Sequence, residues 1–329
     1  MIVGPGLVRG SARQSGLLVA PSVLRSPLTL SRAQVSGVQS SATGADGATL
    51  ALFGADAPRF QGVARRLLIE GQRINLLTGQ DTLVTQSATV TAAAHTLSFW
   101  GTGTITLSGA STAGPLVGTG ASNRVTLIFT PTAGTLTLTV SGTVTRAQLE
   151  AGAFASSYVR SDSGQATRGA DLVSVPLSEL SVGGNGACTI LWSGVVPRAG
   201  SFGMVVVDDG TSSNRLWVRT DPTSGGSLLA ARALSGASAA SSVSITYTPG
   251  MPFAYGAALP GDGSVRLIVA GGSVVAVSGG PTSGLTTLRL GTVAVGGAGA
   301  MFGETTVFRV LLFPLSDTDL AAAVAALPT

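Results

Sequence analysis

Lysine is missing from this 329-residue chain, histidine and cysteine occur once each, as His95 and Cys188, and aromatic residues make up only 5%. A single cysteine excludes an intrachain disulfide framework, and one cysteine with one histidine supplies too few ligands for a Cys/His metal centre. A Ser-His-Asp or Cys-His catalytic arrangement would have to use His95, which sits in TAAAHTLSFW at the lip of a predicted strand. Charged residues amount to 10%, and no uninterrupted apolar stretch approaches the roughly 18 residues that span a bilayer. A soluble protein without membrane insertion is therefore expected, despite a mean hydropathy of +0.46. The opening text MIVGPGLVRGSARQSG lacks the charged segment and continuous apolar core of an export signal, so no signal peptide is expected. All 19 basic residues are arginines, dispersed except for the pair Arg65-Arg66, whereas a nucleic-acid arm concentrates its charge. No nucleic-acid partner is expected. The net charge of +4 and pI near 10.2 suit an acidic capsule or other anionic polysaccharide, because arginine forks pair well with carboxylates.

What the chain does have is small apolar residues and turns: 44% of residues are hydrophobic and 46 are glycine. Many short strands joined by Gly-rich turns follow, hence a mostly β protein. Residues 1–27 show no sustained period and read as an arm or loose cap. Residues 28–60 read as a hairpin punctuated by Ala-Thr-Gly-Ala-Asp-Gly and Gly-Ala-Asp-Ala-Pro, and residues 65–78 as a strand and linker. Residues 85–160 carry alternating segments, clearest in GTLTLTVSG, where threonines 135, 137 and 139 alternate with Leu136, Leu138 and Val140. A second series of eight strand-like runs begins after residues 166–172. In the tail, Ser316 and Asp319 form a capping-box pattern before an Ala/Leu run, which predicts a short helix. The expected fold is thus tandem antiparallel β-sandwiches of jelly-roll type with an irregular N-terminal region and a short C-terminal helix. The expected boundaries are 1–78 for attachment and oligomerisation, 79–165 for the first sandwich and 166–329 for the second. Leu17, Leu18, Val19 and Val23 stand without enough neighbouring strands in the sequence to bury them, so a homo-oligomer is expected through the N-terminal region.

The text SRAQ, TGADG, GADAPRF and LLIEGQRINLL, in that order, resembles the head of a large group of phage tail-fibre and minor structural proteins. AQLEAGAFASSYVRSDSGQATRGAD, residues 147–171, resembles the end of the jelly-roll module that follows in those proteins. Residues 172–329, with DGSVRLIVAGGSVVA, LRLGTVAVGG and GETTVFRVLLFPLSDTDLAAAVA, resemble a concanavalin-like or laminin-G-like sandwich. The first 27 residues, the compact Gly/Ala composition and the GC-rich usage implied by absent lysine are similar to capsid spikes of alphaproteobacterial gene transfer agents. The resemblance implies a non-enzymatic virion spike or fibre on the particle surface, contacting other virion structural proteins and host surface polysaccharide. The alternative is a purely structural adaptor or decoration protein that never touches sugar.

Sugar contact needs aromatic faces with polar neighbours. Trp100, Trp192 and Trp217 each follow a strand-like apolar residue and read as core. Tyr247, Phe253 and Tyr255 flank the Pro-Gly-Met-Pro turn and are the expected carbohydrate-binding residues, with Arg232 and Arg266 as partners for anionic sugar. Asp208 and Asp209 read as a solvated hairpin tip; the alternative is a calcium site completed by Asn214 and Asp221, and no other cofactor is expected. No depolymerase signature accompanies these acids.

Overall fold

The computed structural model describes residues 15–33, 37–161, 164–221, 226–234, 237–280, 283–293 and 299–329, so residues 1–14 of the expected arm lie outside the described residues. The fold is mostly β, built of antiparallel sheets with one short C-terminal helix, as the sequence predicts. The chain divides into two compact units: Leu30–Leu172, and Val173–Thr329 together with the described residues up to Thr29. That division differs from the one expected at 78 and 165, because residues 30–78 group by their contacts with the first sandwich and the described residues up to Thr29 with the second.

In the first unit, one sheet has the order Gly120–Phe129, His95–Gly101, Val144–Ala151, and a second has the order Leu116–Val117, Thr104–Gly109, Gly134–Ser141, Gln86–Val90. The alternation read in residues 134–141 is realised: Leu136 and Leu138 are fully buried while Thr135 and Thr139 face solvent. Leu97, Phe99, Ile105, Leu107, Leu136, Leu138, Val144 and Leu149 meet in one apolar core between the two sheets. Each such side chain taken fully from water stabilises the sandwich by about 1.5–3 kcal/mol.

Beside this core lies a buried ionic cluster. Arg59 reaches Glu70 (2.8 Å) and Asp171 (2.6 Å), Arg168 reaches Glu70 (2.9 Å), and Arg32 reaches Asp171 (2.7 Å), with all three guanidinium groups fully buried. Backbone carbonyls of Ser41, Gly54, Ala57 and Gly71 take further arginine N–H groups. Burial alone would raise the Glu70 pKa; the guanidiniums of Arg168 and Arg59 and hydrogen bonds from Ser157 outweigh it and bring it down to about 2. The cluster closes the unit by joining residues 32, 59 and 70 to 168 and 171, far apart in sequence.

In the second unit, one sheet runs Ala237–Thr246, Ser227–Leu234, Arg215–Asp221, Gly203–Asp208, Thr287–Leu290, Leu172–Pro176. The other runs Val23–Leu24, Ser15–Ala20, Gly303–Leu311, Cys188–Val195, Pro252–Leu259, Val265–Val269, Val275–Val277. Ser15–Ala20 pairs with Gly303–Leu311, and this buries Leu18 and Val19 inside the unit. Of the apolar positions expected to seek a partner subunit, Leu18 and Val19 therefore already have one within the chain, while Leu17 is half-buried and Val23 stays exposed. The terminal helix Asp317–Ala325 starts at Ser316, whose Oγ accepts from the Asp319 amide (3.2 Å) and donates to the Asp319 carboxylate (2.6 Å). Leu320 and Val324 pack on Leu191, Ala254, Ala258 and Ile268. Gly256 permits this approach, since a Cβ there would stand 2.5 Å from Val324 Cγ2.

Candidate functional site

The residues expected to bind sugar in the second unit are buried. Tyr247, Phe253 and Tyr255 are 3%, 8% and 0% exposed. Tyr247 stacks on Phe253 at 4.6 Å between ring centroids, and Trp192 packs on Phe253 (5.0 Å) and Tyr255 (5.4 Å). The expectation of a surface position fails because Pro252–Leu259 is an interior strand covered on both faces. Ala254 and Ala258 lie under the helix, leaving Phe253 and Tyr255 to point into the sandwich. Desolvation raises the Tyr255 phenol, whose hydroxyl has no hydrogen-bond partner among the described residues. Arg232 is half-buried on Ser227–Leu234, and Arg266 is spent on a surface contact with Asp317 (3.3 Å).

The carboxylates weighed for calcium have other occupations. Asp208 is fully buried and receives both Nε (2.7 Å) and Nη2 (3.1 Å) of Arg289, and its Oδ1 also accepts from the Gly210 amide. Asp209 accepts from the amide and hydroxyl of Thr211, Asn214 donates to the Ser283 carbonyl, and Asp221 is buried. Among the described residues no group of three or more His, Cys, Asp or Glu side chains is placed to hold a metal ion.

His95, Cys188, Glu70 and Asp171 are engaged in the fold. His95 is buried, with Nδ1 2.8 Å from the Ala93 carbonyl oxygen. Cys188 is fully buried, and desolvation pushes its thiol up to about 12. Glu70 and Asp171 lie against a shared guanidinium, and the Glu70 pKa near 2 is the opposite of what a general acid needs.

A different constellation stands out in the first unit. On His95–Gly101, Leu97 and Phe99 enter the core, so the alternate residues Thr96, Ser98 and Trp100 occupy the other face of the three-stranded sheet. Trp192 is core as read, but Trp100 is partly exposed on that face and Trp217 is partly exposed beside Arg215, whose guanidinium lies 4.2 Å from its ring centroid. Across the strands Trp100 is paired with Arg124 on one side and Thr145 on the other. The Arg124 guanidinium lies 4.8 Å from the Trp100 ring centroid and that of Arg146 lies 5.9 Å away, both within cation–π range. The Tyr158 ring meets Trp100 edge-on at 6.2 Å.

Each wall has a local cause. Arg124 is fixed by donating to the Ser156 carbonyl (2.6 Å) and Ser98 Oγ (2.8 Å), while its Nε is buried without a partner among the described residues. Desolvation lowers its pKa, and Glu150 opposes that shift. Arg146 sits where the pairing register shifts, with φ of +51°, and such a bulge re-aims a side chain. Tyr158 is held by the segment around it. Glu70 accepts from the Ser157 amide (2.9 Å), Glu150 from the Ser156 amide (2.8 Å), and Gln148 from the Val159 amide (2.7 Å). The Tyr158 hydroxyl donates to Asp81 (3.1 Å), which also binds Arg160 (2.7 Å); burial raises the phenol pKa and Asp81 adds to the shift. The last wall is the hairpin Val38–Thr43 and Leu50–Phe53. Asp46 stiffens its turn by accepting from the amides of Ala48 (3.0 Å) and Thr49 (2.8 Å) and from the Thr49 hydroxyl.

Between these walls are two cavities. One, of about 310 Å³, is lined by residues including Thr43, Gln61, Trp100, Ser122, Arg124 and Tyr158. The other, of about 510 Å³, is lined by Leu50, Leu52, Asp81, Thr145, Arg146, Tyr158 and Arg160. Leu50 and Tyr158 border both, which makes them two compartments of one groove. The alternation of Leu97 and Phe99 with Ser98 and Trp100 was the sequence signal for an outward Trp100. Nothing in the sequence placed Arg124 and Arg146 beside it.

Neither a protein-family model nor a curated protein sequence matches the chain. Among solved structures it is similar to the carbohydrate-binding module CBM40 of Ruminococcus gnavus IT-sialidase bound to α2,3-sialyllactose, at 16% identity over 42% of this chain and 82% of the module, TM-score 0.36. It is similar over 95% of its length to domains LG4-5 of the mouse laminin α1 chain, covering 96% of them, at 10% identity and TM-score 0.31. A leech intramolecular trans-sialidase matches 43% of this chain at 16% identity and TM-score 0.35, and the chain spans only 24% of that protein's length. Likenesses this distant identify no common ligand or activity.

Proposed function

We propose that this chain is a non-catalytic glycan-binding protein whose first sandwich holds the sugar in the groove beside Trp100. The observation that carries the reading is a partly exposed indole ring at the wall of a polar cavity, flanked by Arg124 and Tyr158. Aromatic faces with a few fixed polar groups are what a sugar ring needs, because its C–H face stacks while its hydroxyls find donors and acceptors. Ser122, Gln61, Thr43 and Ser157 supply such groups around the cavity.

The wider setting in this proposal is the surface of a phage-like particle, where the chain adsorbs the particle to a bacterial surface polysaccharide. Its support is the ordered sequence resemblance of residues 28–78 and 147–171 to phage structural proteins. A shallow site binds weakly alone, and many copies on one particle multiply the effect. The test is a glycan array probed with the purified full chain and with Trp100→Ala. The expected outcome is binding to a subset of polysaccharides that falls at least tenfold in the variant, while thermal melting shows the variant folded. An array on which the wild-type chain binds nothing would favour the structural-adaptor alternative.

A further inference from the structure

We infer that the groove selects an anionic sugar, with Arg146 as the group that receives the carboxylate; this rests on the glycan-binding reading above and names its ligand class. The charges along the groove do not cancel. Arg124, Arg146 and Arg160 line it against one carboxylate, Asp81, and that carboxylate is already held by Arg160 at 2.7 Å. Glu150 acts electrostatically on Arg124 but lies buried, taken up by Gln148, Ser156 and Arg73. Arg124 has no carboxylate among its hydrogen-bond partners, which are a carbonyl and a hydroxyl. Among the described residues the Arg146 side chain makes no hydrogen bond or ion pair; its guanidinium lies near the Trp100 ring. A half-buried guanidinium without an ion-pair partner among the described residues, held by a backbone bulge next to an aromatic ring, suits a planar carboxylate.

The geometry also gives the ligand two handles at once. Trp100 borders the smaller compartment and Arg146 the larger, with the Tyr158 and Leu50 side chains shared between them. A uronic or other carboxylated residue in the larger compartment leaves its neighbour in the chain beside the indole. The site thus reads at least two consecutive sugars, one by charge and one by stacking.

The experiment compares acidic polysaccharides, namely polygalacturonate, alginate, hyaluronan and polysialic acid, with the same polymers after their carboxylates are reduced to alcohols. Full-length wild type, Arg146→Gln, Trp100→Ala and Arg266→Gln are titrated into each. The inference expects at least one acidic polymer to bind and its reduced form to bind about ten- to a hundredfold more weakly, the range of one charge-assisted hydrogen-bonded contact. Arg146→Gln should cause a similar loss and flatten the salt dependence, while Arg266→Gln, which removes the same charge from an exposed site, should leave affinity unchanged. Equal binding to native and reduced polymers, lost in Trp100→Ala, overturns the anionic selectivity and leaves the glycan reading standing. Equal losses in Arg146→Gln and Arg266→Gln mean attraction to net charge alone and also overturn it. Failure to bind any polymer, acidic or reduced, overturns both readings.

Discussion

The two units solve the same problem, closing a sandwich of small residues, in opposite ways. The first is drawn together by buried charge: three arginines and two carboxylates beside a mostly aliphatic core. The second relies on a packed aromatic row of Trp192, Phe253, Tyr255 and Tyr247, and on a helix pressed against Gly256 and its alanine neighbours. The contrast changes the meaning of the motifs. The residues that mark the resemblance to phage proteins, in SRA, PRF, LLIEG, QLE, SSY and TRGAD, supply Arg32, Arg59, Glu70, Gln148, Glu150, Ser157, Arg168 and Asp171, which hold the first unit together. Here these polar residues serve the internal bonding of the first unit, and Trp100, Arg124 and Arg146 of the proposed groove lie between them in sequence.

The comparison can be broken most directly at Arg59. Arg59→Ala leaves Glu70 and Asp171 each short of a buried partner, and the expected destabilisation is about 3–5 kcal/mol. Hydrogen exchange read peptide by peptide should show the loss of protection concentrated in residues 30–172; uniform loss over both units would refute the contrast.

Acid should separate the units more gently. Glu70 is held below its ordinary value in the folded state, so it contributes stability that is fully present above pH 4.5 and is lost as pH falls toward about 2. The depressed carboxylates described in the second unit, Asp209 and Asp262, are bonded to neighbouring loop residues near the surface. Between pH 4.5 and 2 the first unit should therefore lose protection before the second, and simultaneous loss would count against the role assigned to the ionic cluster.

The smallest effect is expected at Tyr255→Phe. Its hydroxyl is buried without a partner among the described residues, so deleting it removes a desolvated polar group and none of the described hydrogen bonds. The melting temperature should hold or rise by the equivalent of up to about 1 kcal/mol, whereas a fall would mean that the hydroxyl is bonded, for instance to water.

Much of the fold could be read from periodicity, and the failures share a cause. Residues 134–141 alternate because one face is wet, and the capping pattern at Ser316 is local, so both were legible. Ser227–Leu234, SLLAARAL, was not among the expected strands: leucine and alanine carry little β preference, and burial on both faces erases alternation. The same double burial misled the reading of Phe253 and Tyr255, since the adjoining Pro-Gly-Met-Pro turn indicates a loop but cannot show that the next strand runs under a helix. The groove was legible only in part. Trp100 has a parity with Leu97 and Phe99 that points it outward, while Arg124 and Arg146 reach it through cross-strand pairing and a bulge, neither of which is written in local sequence.

Cys188, sealed in the second unit with its thiol pushed up to about 12, also makes the protein unusually easy to address chemically. A thiol introduced at an exposed position reacts at neutral pH while the native one stays silent, and a chain without lysine offers no side-chain amine to compete. Ser122→Cys, on the lip of the groove, therefore accepts a single fluorophore without any change to the native cysteine. Placed there, the dye becomes an optical gauge of what enters beside Trp100.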